Sequence, residues 1–130
     1  MVNDAFVLPR VGHTLPPDLH EQLAVAFVRE LDARLPRLLP AAERLRRRGC
    51  QVSAATVRVI VTEVHTVASS AVVVGAHRAA RAARACEHRL LAYVDGAPLP
   101  AVVAAEALDH LDELLAALTC WRSGDRAGVA

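Results

Sequence analysis

Apolar residues along this chain recur three and four apart in four separate stretches, the spacing that gathers them on one side of an α-helix. Leu23, Phe27, Leu31, Leu35/Leu38, Ala42 and Leu45 make the first stripe, which predicts a helix from Pro17 or Asp18 to about Arg48. Pro17 suits a first turn, where its missing N–H would have had no partner. Pro36 and Pro40 fall inside the stripe. Each removes a backbone hydrogen bond at a cost of roughly 3 kcal/mol, so a kink or a break is predicted between Leu35 and Ala41. Arg44, Arg46, Arg47 and Arg48 then put cations at the negative end of the helix dipole, and Gly49 follows as a cap. This basic run reads as a solvated helix end.

The second stripe is Val57, Ile60/Val61, Val64, Val67/Ala68, Ala71 and Val74, in a helix opened by Ser53 as N-cap and closed by Gly75. A strand competes over VRVIVTEV, where Val57, Val59 and Val61 alternate and β-branched residues are dense. Ile60 and Val64 break that alternation and fit the helical stripe instead. Between His77 and Val94, Ala79, Ala83, Cys86, Leu90 and Tyr93 share one face, while His77, Arg78, Arg81, Arg84, His88 and Arg89 crowd the other. Asp95-Gly96-Ala97-Pro98 is a turn. The last helix, about Pro100 to Trp121, directs Ala104, Leu108, Leu111, Leu115 and Leu118 inward. Its outer face, with Glu106, Asp109, His110, Asp112 and Glu113, is acidic where the preceding helix is basic, as in neighbours of an antiparallel hairpin. Ahead of these helices, residues 1–16 carry Pro9, Gly12 and Pro16 and read as an irregular arm, with Phe6, Val7 and Leu8 able to pack across one end of a bundle. Residues 123–130 read as a flexible tail.

The fold class expected is therefore all-α, an up-down four-helix bundle over residues 17–122 with a kinked first helix. A length of 130 residues suits one domain, and 54% hydrophobic residues supplies one core. Those residues are mostly Ala, Val and Leu, which favours closely packed helices over a wide ligand cavity. The net charge of +1 argues against a nucleic-acid binder that works by neutralising many phosphates. Proteins are the expected partners. MVNDAFVLPR has no basic segment leading into an apolar run, and no uninterrupted apolar stretch would cross a bilayer, which points to the cytoplasm. Cys50, Cys86 and Cys120 form no CxxC pair and read as free thiols of a reducing compartment. Glu63 with His65, Glu87 with His88, and Asp109, His110 and Glu113 all lack the ligand pattern of a di-metal bundle, and no phosphate loop or nucleophile elbow is present. No cofactor or metal is expected.

One stretch carries chemistry. Arg58, Thr62, His65 and Ser69 fall on a face of the second helix away from its apolar stripe, so His65 stands near solvent, where an imidazole can act as a nucleophile. The segment HTVASSAVVVGA, followed by an Ala- and Arg-rich helix carrying Cys86-Glu87, resembles the signature of histidine-containing phosphotransfer (HPt) domains. His65, Thr66, Val67, Ser70, Ala71, Val74, Gly75 and Ala76 match that signature in register and without a gap. Two positions depart from it: the family's usual Lys three residues after the His is Ala68, and its usual Gly one residue later is Ser69. The Lys supplies charge beside the phosphorylated imidazole, and the Gly lets the partner's active site come close.

The resemblance implies a phosphoryl carrier in a two-component phosphorelay. His65 would accept phosphate from one receiver-domain aspartate and pass it to another, with receiver domains or a hybrid histidine kinase as partners. Such a partner brings its own Mg²⁺ and charge clamp. Thr66, Ala68, Ser69, Ser70 and Gly75 would support His65, and Arg58, Thr62, Arg78 and Arg81 would be available for docking. Arg78 and Arg81 are also candidates to replace the absent Lys charge, since the chain's fifteen basic residues are all Arg. Ser69 and Thr66 can bond either the imidazole or a helix carbonyl. Two other readings stand beside this one: a degenerate HPt-like adaptor that binds a receiver or kinase domain without accepting phosphate, and an unrelated helical interaction bundle.

Overall fold

A computed structural model describes residues 17–124 and is helical throughout, with no strand among the described residues. Four α-helices pack together: α1 (Pro17–Arg48), α2 (Ala54–Val73), α3 (His77–Leu90) and α4 (Ala101–Arg122). Short 3-10 turns follow α1 (Gly49–Gln51) and α3 (Leu91–Tyr93). Each helix packs most extensively on its neighbours in sequence, and α1 also meets α4. The arm over residues 1–16 lies outside the described residues, as does the tail beyond Gly124. Ser123 and Gly124 complete a turn, their N–H groups donating to the carbonyls of Thr119 and Trp121.

Of the kink or break expected in α1, the break does not occur; the helix is continuous through Pro36 and Pro40. Both prolines are exposed, and the carbonyls deprived of an N–H, those of Asp32 and Pro36, belong to exposed residues that water can reach. On the opposite side Leu31, Leu38, Ala41, Ala42 and Leu45 are buried and hold the helix against the bundle. Burial of that face offsets the two missing bonds.

The strand reading of VRVIVTEV is also set aside. Val57, Ile60, Val64, Val67, Ala68 and Ala71 form the buried face of α2, as the helical spacing predicts. α2 meets the length and hydropathy of a membrane span by composition alone, although Arg58, Glu63 and His65 interrupt it, and half of that window is buried inside the bundle. In α3, Ala79, Ala80, Ala82, Ala83, Cys86 and Leu90 are buried, and these small side chains let its backbone come close to α2 and α4. The core of α4 is turned slightly from expectation. Ala107 and Leu114 are buried, whereas Leu108 and Leu115 are half-buried, because apolar residues lie on both sides of the true stripe and spacing alone does not rank them. Phe27 and Trp121 meet edge to face, with centroids 5.0 Å apart at 84°, and join α1 to α4.

Charged pairs cross the helix seams. Arg78 Nε donates to Glu113 at 3.1 Å and Arg89 pairs with Glu106, so the basic face of α3 does meet the acidic face of α4. Arg46–Asp112 at 2.8 Å and Arg122–Asp32 at 3.1 Å link α1 to α4. These exposed pairs set alignment more than they add stability. Glu63 differs. Its side chain is 1% exposed, yet Arg34 Nη1 and Arg37 Nε reach it from α1 at 3.4 and 2.8 Å. A carboxylate carried into the α1–α2 seam is therefore met by two cations from the facing helix.

Candidate functional site

α2 is defined at both ends. The Ser53 hydroxyl accepts from the Thr56 N–H at 3.1 Å, satisfying one donor of the first turn. At the other end Ala76 N–H donates to the Ala71 carbonyl at 2.9 Å and Gly75 N–H to that of Val72 at 3.1 Å, the paired bonds of a Schellman cap. That cap requires left-handed backbone, which Gly75 provides at φ 77°. Ala71 and Ala76, both fully buried, form the apolar contact that accompanies such a cap. The turn reverses the chain within three residues and lays α3 beside the face of α2 that carries His65.

His65 lies midway along α2 with its side chain 66% exposed, and its Nδ1 is 2.9 Å from Glu87 Oε2 on α3. Glu87 is only 22% exposed, anchored in the seam between the helices. An ionised carboxylate can only accept, so Nδ1 carries the hydrogen of this bond, and the neutral ring keeps its lone pair on Nε2. Nε2 has no protein partner among the described residues. The arrangement fixes the tautomer, restrains the ring and leaves a nucleophilic nitrogen open to a partner.

Around the ring, Thr62 and Ser69 are exposed on the same face, with Thr66 half-buried beside them. Neither hydroxyl of the flanking turns bonds the imidazole. Thr66 Oγ1 donates to the Thr62 carbonyl at 3.2 Å, and Ser69 Oγ donates to the His65 carbonyl at 3.2 Å. Ala68 is 2% exposed, its methyl turned into the core. Ser70 turns toward α1, in a shallow groove with Leu23, Phe27, Val73 and Val74. Arg58 lies two turns before His65, where Nη1 donates to the Val94 carbonyl at 2.8 Å and ties α2 to the end of the α3 turn. Arg78 and Arg81 do not gather at the imidazole; both line the groove between α3 and α4 with Asp109, His110 and Glu113. The hydrogen bond it donates to Glu113 raises the Arg78 pKa and keeps that guanidinium on α4.

Two residues of consequence were weighed in the sequence only as metal ligands, and their roles escaped it. Glu87 is the one acidic residue in the helix HRAARAARACEHRL, and that isolation was the available signal. Glu63 is likewise the one acid in a run of Val and Ile. Beside Glu87, the Cys86 thiol is fully buried, and burial first, then the Glu87 charge, pushes its pKa from 9.0 up to about 12. Cys86 is thus a core residue and no nucleophile at neutral pH. Among the described residues no group of three or more His, Cys, Asp or Glu side chains could hold a metal ion. Comparison of the chain with protein-family models, with curated proteins and with solved structures finds no match.

Proposed function

We propose that this protein is a histidine phosphotransfer protein of a cytoplasmic two-component phosphorelay, carrying a phosphoryl group on His65 between receiver-domain aspartates. The observation that carries the reading is the exposed imidazole held through Nδ1 by Glu87. In the reaction the Nε2 lone pair attacks the phosphorus of an aspartyl phosphate. The P–O bond to the aspartate breaks with its electron pair going to the carboxylate, and the new P–N bond leaves a positive charge on the ring. No proton has to move, and the Glu87 carboxylate lies against the ring edge where that charge appears. Little conformational entropy is lost at that moment, because the ring is already oriented.

The architecture proposed with this function is an up-down four-helix bundle of HPt type, with α1 bent at Pro36 and Pro40. Two contacts along each seam support antiparallel neighbours, the numbers rising along one helix as they fall along the other: Arg37–Glu63 with Arg44–Thr56, His65–Glu87 with Arg58–Val94, Arg78–Glu113 with Arg89–Glu106, and Asp32–Arg122 with Arg46–Asp112. His65 is exposed and lies in a helix, as a phosphoryl acceptor of this kind requires.

The buried Ala68 favours a second reading, an adaptor that binds a receiver or kinase domain without accepting phosphate, because no cation is supplied from that position. Transfer from a panel of phosphorylated receiver domains, scored as acid-labile label with His65→Gln as control, separates the two. Label lost in the variant supports the carrier. A folded protein that binds a receiver and takes no label supports the adaptor, and one that does neither leaves only a helical interaction bundle.

A further inference from the structure

A phosphoryl group on Nε2 would carry two negative charges a few ångströms from the Glu87 carboxylate, and this repulsion requires a cation nearby. Position 68 supplies none. α1 supplies none either, because Glu63, which meets Arg34 and Arg37 of α1, lies about 200° around the helix from His65 at 100° per residue. Arg58 is committed to the Val94 carbonyl and Arg78 to Glu113. Arg81 lines the far groove with α4.

Arg84 is left. It sits three residues before Glu87, one turn along α3 and about 60° around it toward the exposed side, so its Cα stands about one turn from the residue that holds His65. α2 and α3 run antiparallel at this point, since His65 meets Glu87 and Arg58 meets Val94, and that register puts Arg84 across from Ala68 and Ser69. Arg84 is exposed and, among the described residues, makes no ion pair or hydrogen bond. His88 lies further round the helix, away from α2.

We infer that Arg84 is the binding residue for the phosphoryl group on His65, supplying from α3 the positive charge that Ala68 cannot supply from α2. The guanidinium offers several N–H donors in a fixed plane, matched to phosphoryl oxygens, and remains charged at any working pH. The absence of a competing partner in the unphosphorylated protein leaves those donors available. This inference rests on the phosphotransfer reading of His65.

The test uses potassium phosphoramidate as donor, so that no receiver domain is involved. Nε2 attacks the phosphorus, ammonia leaves with the electron pair of the old P–N bond, and phosphohistidine forms. Arg84→Ala is expected to slow labelling of His65 about tenfold, less than the loss of a buried oxyanion donor because the site is open to solvent. Arg84→Lys should restore most of the rate, Arg47→Ala at the end of α1 should change nothing, and the Arg84→Ala deficit should shrink in 1 M salt. A readout of charge rather than fold is the ³¹P titration of the phosphorylated protein, in which the phosphoryl's second ionisation moves to higher pH in Arg84→Ala. Wild type labelled on His65 with an unchanged rate and an unchanged titration in Arg84→Ala overturns the role of Arg84 alone. Wild type that takes no label, or label that survives His65→Gln, overturns the phosphotransfer reading and the role of Arg84 with it.

Discussion

The ion pairs at Glu63 lend themselves to a quantitative test, because only one side of the cluster is buried. Glu63 is 1% exposed, whereas Arg37 and Arg34 are 64% and 34% exposed. At an effective dielectric of ~20, contacts at these separations are each worth roughly 5 kcal/mol of attraction, most of which offsets the cost of removing the carboxylate from water. Replacing both cations, Arg34→Met with Arg37→Met, leaves the desolvation cost and removes its compensation, a loss of about 3–5 kcal/mol at pH 7. Replacing the anion instead, Glu63→Gln, leaves two guanidinium groups that can turn to solvent, and should cost only about 1 kcal/mol. Thermal unfolding followed by circular dichroism would place the double variant roughly 10–15 °C below the wild type and Glu63→Gln only a few degrees below it. A double variant within about 1 kcal/mol of wild type at pH 7, or a Glu63→Gln variant as unstable as the double variant, would refute the account of a buried carboxylate held by two cations.

Three further outcomes follow from the same physical accounting. Gly75→Ala should lower stability by roughly 1–2 kcal/mol in urea titration, all of it backbone strain at φ 77°, since an added Cβ has nothing within 4 Å to strike. The Cys86 thiol ionises at about 12 in the folded chain against 9.0 otherwise, so the unfolded chain releases its proton first as the pH rises; its contribution is intact below pH 9 and is lost at ~1.4 kcal/mol per pH unit above it, a decline that Cys86→Ala abolishes. A thiol reagent at neutral pH should accordingly modify exposed Cys50 quickly and Cys86 only on unfolding. Glu87→Ala, which frees the Nδ1 side of His65, should lower the rate of phosphoramidate labelling on the order of tenfold with unfolding temperature changed by only a few degrees.

Helix identity and most of the core were set by local pattern. Apolar spacing identified the buried faces of α1, α2 and α3; Ser53 and Gly75 marked the ends of α2; and the opposed charges of α3 and α4 foretold their pairing. These features depend on residues three or four apart, and a helix of known period turns such spacing into geometry. The exposure of His65 belongs here too, because it follows from which face the neighbouring valines occupy.

What required tertiary structure depends on which residue of one helix meets which residue of another. Periodicity assigns a residue to a face but carries no information about register between helices. The bond from His65 to Glu87, 22 positions away, follows from the Schellman turn at Gly75 and from the length of chain on either side of it. Glu63 likewise gains its partners only because α1 brings Arg34 and Arg37 to it. Pro36 and Pro40 were predicted to kink or break α1, and the helix runs through both, because the backbone penalty was legible in sequence and the burial of the opposite face, which outweighs it, was not. Ala68 and Arg84 divide in the same way: the resemblance marked position 68 as departing from its usual Lys, and only the packing of α3 on α2 placed an arginine across from it.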